Sequence, residues 1–183
     1  MTVLAPGATR SGSLIIVPGD LWQYHEEGWR VVVTTNIGWD PESGRNNMGA
    51  GVALQASQRW PDLPLWYGVQ CEMQRQAMPV IQHSARRLIF LPVKPLLDPL
   101  RPEISWDQEA DLGLIKRGLR QVAGIALEEA GPRVALSFPG CGNGGLPESL
   151  VLPVMQETLS RAARAGRLQV VSFSESVYSS RHG

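Results

Sequence analysis

The chain has 183 residues, one ordinary domain's worth at about 150 residues per domain. With 43% hydrophobic and 19% charged residues, its composition excludes a largely disordered protein. Seventeen basic residues balance seventeen acidic ones, so bulk charge gives no reason for non-specific nucleic-acid binding, although a local basic patch stays open.

Only Lys94 and Lys116 are lysines, so an amine nucleophile has two side-chain candidates. Cys71 and Cys141 are the only cysteines, too few for a disulfide framework, and His25, His83 and His182 stand at no zinc-ligand spacing to them. Reduced thiols, a start without the apolar core of a signal peptide, and no run of about 18 apolar residues together predict a cytoplasmic protein with no membrane partner.

In chain order, residues 1–12 read as a flexible N-terminal arm. Leu14 to Val17 is a short apolar strand ended by Pro18-Gly19. Val31 to Thr35 is a second, β-branched strand running into Asn36, and a polar stretch from Gly38 to Asn47 follows. Helices are expected over 49–60, stopped by Pro61, and over 65–76. Two strands, 78–82 and 87–93, precede a connection holding Pro95, Pro99 and Pro102. Leu112, Ile115, Leu119, Val122 and Ala126 recur on one helical face, with Asp107 near the helix start. A strand over 133–138, a glycine loop over 140–145, a helix over 147–165 and a strand over 168–173 complete the domain, taken as 13–175, before a tail at 176–183. Strands alternating with helices predict an α/β fold with a mostly parallel, covered sheet.

Gly140-Cys141-Gly142-Asn143-Gly144-Gly145 matches G-x-G-x-x-G between a strand and a helix. Glycines let the backbone approach a ligand closely, and the next helix offers free N–H groups to an anion. A nicotinamide-type Rossmann site needs an acidic residue about 20 positions later, at the end of a strand; Glu157 falls inside the expected helix and Glu175 comes too late. A plain tight turn and a phosphate-cradling loop of another class remain. Asn47-Met48-Gly49-Ala50-Gly51 opens the earlier helix in the same way, so two such loops can hold one diphosphate from both sides.

Four blocks resemble the macro domain, an ADP-ribose-binding fold: Gly19-Asp20-Leu21-Trp22; Asn36 followed by Met48-Gly49-Ala50-Gly51-Val52-Ala53-Leu54-Gln55; Leu91-Pro92-Val93-Lys94; and Pro139-Gly140-Cys141-Gly142-Asn143-Gly144-Gly145-Leu146. They keep the family's order over nearly the whole chain. The branch resembled is that of the lysine-dependent ADP-ribosyl glycohydrolases, which holds terminal ADP-ribose protein glycohydrolase and the antitoxin that removes ADP-ribose from DNA.

The resemblance implies a three-layer α/β/α domain with a mixed, mostly parallel sheet. It implies that Asp20 fixes adenine, that Asn36 faces the distal ribose, and that the N–H groups of Gly49 to Val52 and of Cys141 to Gly145 hold the diphosphate, with Leu21, Asn47, Met48, Pro139, Gly140 and Leu146 in the same ADP-ribose-binding set. It puts Lys94 beside the anomeric carbon as the catalytic residue and offers Phe173 for stacking on adenine. ADP-ribose is the implied ligand, with no cofactor and no metal. The implied partners are ADP-ribosylated DNA or protein and a cognate ADP-ribosyltransferase toxin.

Some members of this branch carry an aspartate where Gly144 stands, and the antitoxin relatives carry Asn-Gly-Gly as here, which favours DNA over a protein carboxylate. Glu148 reads as a first-turn helix carboxylate, with an acid or base role as the alternative. The 39–47 segment is expected as a flap, with Trp39 stacking on a leaving base. Trp22, Trp60, Trp66 and Trp106 read as core or ligand-rim packing, and Arg86-Arg87 and Arg117/Arg120 as solvated faces or phosphate contacts. A non-catalytic ADP-ribose reader, an ADP-ribose 1″-phosphate phosphatase and an NAD-dependent oxidoreductase stand as the alternative functions.

Overall fold

The computed structural model describes residues 5–173. Its strands are β1 (Thr9–Ser11), β2 (Leu14–Pro18), β3 (Arg30–Asn36), β4 (Ile81–His83), β5 (Leu88–Lys94), β6 (Val134–Leu136) and β7 (Leu168–Ser172). Its helices are α1 (Leu21–Glu26), α2 (Gly51–Arg59), α3 (Leu63–Gln74), α4 (Leu112–Ala126) and α5 (Glu148–Arg164).

The strands form one seven-stranded sheet in the order β1-β2-β7-β6-β3-β5-β4. The five inner strands run parallel, and the edge strands β1 and β4 are antiparallel to their neighbours. Period-two alternation splits the core between the two faces of this sheet. Val32, Ile89 and Leu91 pack with Ile115, Leu119, Met155 and Leu159 of α4 and α5. Val31, Val33, Leu88 and Phe90 pack with Leu21, Ala56, Leu63 and Tyr67 of α1, α2 and α3. The result is the three-layer α/β/α arrangement. Among the described residues no helix is long and apolar enough to cross a membrane.

The expected N-terminal arm is corrected in part: Thr9–Ser11 pairs with β2 through a turn in which Gly12 takes φ +59°. An exposed edge strand need not alternate apolar and polar residues, so Thr9, Arg10 and Ser11 carried no strand signal. Residues 1–4 and 174–183, with the whole expected tail, lie outside the described residues. Helix α1 was not foreseen. Its start is a capping signal, with Asp20 accepting from the Trp22 amide at 2.9 Å. Asp111, rather than Asp107, caps α4 by accepting from the Leu114 amide; Asp107 ends a 3-10 turn over Pro102–Asp107.

The loop from Gly38 to Asn47 lies on α3 as a fixed element. The Asn46 amide donates to the Pro64 carbonyl at 2.8 Å, and the Asp40 side chain accepts from the Glu42 and Ser43 amides. The loop sits so close that a Cβ on Gly68 of α3 would come 2.0 Å from the Gly44 carbonyl oxygen and 2.7 Å from the Asn46 nitrogen. Alanine is preferred to glycine inside a helix by about 1 kcal/mol, but this clash is with backbone and cannot be relieved by a rotamer. Gly68→Ala should therefore cost about 1–2 kcal/mol net, a fall in melting temperature of roughly 2–8 °C. Gly124→Ala on α4, where nothing lies within 4 Å, should raise it. Thermal melts of the two variants check the pair.

Candidate functional site

All five parallel strands present their C-terminal ends along one edge of the sheet, where open α/β sheets bind ligands. Asn36 ends β3 and Lys94 ends β5, and the two are paired in register. They meet because of a bulge: Thr35 pairs with Pro92, Asn36 pairs with Lys94, and Val93 has no opposite residue. A bulge of this kind re-aims the side chain that follows it. Pro92 is tolerated there because β4 ends opposite Phe90, so no strand on that side needs its missing N–H.

A cleft of about 290 Å³ opens above this edge. Thr34, Thr35 and Asn36 line it from β3, and Val93 and Lys94 from β5. One wall is Gly49, Ala50 and Gly51 at the start of α2; the facing wall is Gly140, Cys141, Asn143 and Gly144. The two glycine-rich segments thus close on one space. Ala50 caps α2 without a side-chain hydrogen bond, so the first N–H groups of that helix lack intrahelical partners. Gly140 has φ +76°, and a Cβ there would meet the Ile115 side chain at 2.6 Å; backbone conformation and space both demand glycine. A Cβ on Gly144 would meet that of Ala110 at 2.9 Å, so an aspartate at this position does not fit without a shift.

The Lys94 side chain is buried, and its Nζ donates to the Trp106 carbonyl at 2.6 Å. Burial pulls its pKa below the ordinary lysine value, opposed by the Asp107 carboxylate. Lys116, on α4, is paired with Glu157 at 2.8 Å and does not line the cleft. Asn36 is held by its neighbours: its Nδ2 donates to the Asn47 carbonyl at 2.8 Å, and its Oδ1 accepts from the Gly38 amide and from Asn46 Nδ2 at 2.9 Å each. Asn46 is buried and also donates to the Asn36 and Gly38 carbonyls. This residue, which the sequence did not single out, ties the 38–47 loop to the end of β3.

The remaining expected site residues separate into groups. Asp20 and Phe173 follow β2 and β7 at paired positions, Pro18 opposite Ser172; they lie on the same edge but outside the cleft lining, with Phe173 52% exposed. The Leu21, Met48 and Val52 side chains are buried in the core beneath α1 and α2. Pro139 is buried, Leu146 packs on the other core, and Gly142 and Gly145 are exposed turn glycines with positive φ. Glu148 is exposed in the first turn of α5. Burial, and then the Glu148 charge, push the Cys141 thiol up to about 11.

The structure also places the neighbouring residues that the sequence singled out. Trp39 is only 5% exposed, with the Arg75 guanidinium over its ring, and it lines a second hollow of about 350 Å³ whose walls share Asn36, Asn47 and Trp106 with the cleft. The 39–47 segment, anchored on α3 through the Asn46 amide, walls the same hollow. Trp106, 44% exposed and lining the cleft, is the rim aromatic. Arg86 and Arg87 precede β5, at the opposite end of the sheet from Lys94; Arg86 pairs with Asp62 at 2.9 Å, and Arg87 donates to the His25 carbonyl. Arg120 lies within 3.5 Å of Glu157.

No family model and no curated protein matches the chain. Solved structures do. A Thermosipho africanus DarTG in complex with ADP-ribose superposes with a TM-score of 0.65 at 20% identity, over 90% of this chain and 43% of that one. The chain thus spans less than half the length of that relative. The macrodomain of Thermus aquaticus DarG gives 0.60 at 26% identity, covering 87% and 96% of the two chains. The macrodomain of Mycobacterium tuberculosis DarG gives 0.63 at 22%, covering 88% and 99%.

The thiols provide a check on the cleft. With Cys141 raised to about 11 and Cys71 to about 12, alkylation of the folded protein near pH 7.5 should run about two orders of magnitude or more below that of a free thiol of pKa about 8.5. Mass spectrometry of iodoacetamide-treated protein measures the rate. The placement of the glycine walls, the sheet order and the structural neighbours lead to one statement: the chain has the macro-domain fold and is similar to the macrodomains of DarG.

Proposed function

We propose that the protein is an ADP-ribosyl glycohydrolase, releasing ADP-ribose from a modified macromolecule, with a DNA base favoured over a protein carboxylate as the leaving group. The observation that carries this reading is the position of Lys94: a buried amine of lowered pKa in a cleft whose two other walls are glycine-rich backbone. Backbone N–H groups at the α2 start and in the 140–145 loop suit a diphosphate, which sets the distal ribose against Asn36 and Lys94. Asp20 and Phe173, farther along the same edge, suit the adenine end.

Glycosidic cleavage passes through an oxocarbenium-like centre at the anomeric carbon. The free-base amine of Lys94 supplies a lone pair to that carbon, or to the aldehyde of the opened sugar, as the bond to the leaving group breaks. One amine proton goes to the leaving group; the ring C–O bond then opens, the ring oxygen takes up the second proton as the imine forms, and water hydrolyses the imine to return ADP-ribose and the amine. Burial favours the neutral amine this step needs. A non-catalytic reader would use the same cleft and differ in turnover alone.

ADP-ribosylated thymidine, guanosine and glutamate substrates separate these readings. Wild type should release ADP-ribose, and Lys94→Ala should lose on the order of a thousandfold or more of the rate while still binding ADP-ribose. Full activity in Lys94→Ala would remove the catalytic assignment. The pH profile gives a second test. The neutral amine accumulates as pH rises through its lowered pKa, so kcat/KM should rise with pH, below the range of an ordinary lysine at about 10.4. Asp107→Asn removes the charge that opposes the lowering and should move the rise to lower pH.

A further inference from the structure

The ladder between β3 and β5 ends at the pair Asn36 and Lys94. The next residue of the chain after β5 is Pro95, which has no N–H to carry the ladder on. A buried hydroxyl takes over at that point. Ser105, 1% exposed, accepts from the Ile37 amide at 3.3 Å and donates to the Pro95 carbonyl at 2.8 Å. One side chain thus joins the residue after Asn36 to the residue after Lys94. It comes from neither strand but from the 3-10 turn Pro102–Asp107.

The same turn holds the amine. Trp106 follows Ser105, and its carbonyl accepts from Lys94 Nζ at 2.6 Å. Close packing sets the turn against the end of β3 as well: a Cβ on Gly38 would lie 2.1 Å from the Pro102 carbonyl oxygen and 2.7 Å from Ser105 Cβ. The turn's own hydrogen bonds are long, from the Ile104 amide to the Arg101 carbonyl and from the Gln108 amide to the Ser105 carbonyl, at 3.2 Å each. Short 3-10 segments have poor hydrogen-bond geometry, so an anchor outside the turn decides where the Trp106 carbonyl stands. Lys94 needs a fixed acceptor, because its flexible stem has many rotamers and attack on a bound sugar requires a closely placed nitrogen. A neutral amine that donates one N–H to a fixed carbonyl keeps its lone pair free and has its direction set.

We infer that Ser105 is a positioning residue for Lys94: its hydroxyl, bridging the ends of β3 and β5, fixes the turn whose Trp106 carbonyl orients the amine. Ser105 does not line the cleft, so it acts through Trp106 and Lys94. The inference rests on the glycohydrolase reading for the reaction it serves, but the placing of the amine is measurable without turnover.

The chain has only two lysines, so lysine labelled with carbon-13 at Cε gives two resonances to titrate. Lys94→Ala assigns them, and Lys116, paired with Glu157, is the internal reference. Ser105→Ala removes the hydroxyl, and Ser105→Cys keeps about its volume with only a weak donor and acceptor. In both variants water should reach the loosened amine and relieve the burial that lowers its pKa; Asp107, the charged group beside it, already opposes that lowering. The Lys94 midpoint should rise by about 0.5 or more toward the ordinary value of about 10.4, with Lys116 unmoved. On an ADP-ribosylated substrate kcat should fall about a hundredfold, with the affinity for ADP-ribose unchanged. Val134→Ala truncates the core at the start of β6, the opposite end of the sheet; it should lower the melting temperature and leave the Lys94 midpoint in place. A Lys94 midpoint unmoved in both Ser105 variants, an unchanged kcat, or an equal rise in Val134→Ala overturns the inference. Failure of both Ser105 variants to fold assigns Ser105 to stability alone and overturns it equally. Wild-type protein that binds ADP-ribose without turnover ends the glycohydrolase reading, and the titration then decides the placing of the amine.

Discussion

The bulged pairing of β3 with β5 is the constraint on which the site depends. Without the extra residue at Val93, the regular register would set Asn36 opposite Val93 and turn Lys94 to the other face of the sheet. One residue of slip decides whether the amine faces the cleft. The bulge is held from outside the sheet, since the Val93 carbonyl accepts from the Asp111 amide at 2.8 Å, and Asp111 in turn caps α4. The long amphipathic helix that closes one core thus also fixes the strand end that carries the chemistry.

Two further links keep the cleft in one shape. The Ala110 amide donates to the Gly144 carbonyl at 2.9 Å, which ties the glycine loop to the residue just before that same cap. On the other side, Asn46 and Asn36 form a small polar core with the Gly38 backbone, and Thr35 beneath it bonds the Tyr67 hydroxyl of α3 at 2.8 Å. Buried polar groups of this kind cost free energy unless paired; the Asn36 oxygen and both side-chain NH₂ groups are paired, while Asn46 Oδ1 is buried without a partner among the described residues. Rigid walls lower the ordering cost of binding a flexible diphosphate. At the far end of β3, Arg30 does comparable work for the fold, donating to the Pro132 and Ile125 carbonyls and pairing with Glu128 at 3.1 Å.

Trp106 links the two hollows twice, by its carbonyl to Lys94 and by its ring to the space beyond. The turn that holds the amine is the short 3-10 segment Pro102–Asp107.

The sequence by itself determined the strands from β2 to β7 with small errors at their ends, the long helices α4 and α5, the two glycine-rich turns and the candidate amine. These depend on periodicity, on proline and glycine stops, and on the scarcity of lysine, all of which are local. It missed α1 and β1, because a six-residue helix and an exposed edge strand bury too little surface to leave a pattern. It left Trp106 open between core and ligand-rim packing and passed over Asn46. Whether a tryptophan is packed in a core or set on a rim depends on residues distant in the chain, here Arg75 over the Trp39 ring and Lys94 against the Trp106 carbonyl. Only the tertiary structure decided which aromatic faces the ligand side and that both glycine turns close on one cleft, because side-chain exposure and the meeting of two loops are set by non-local packing and strand register.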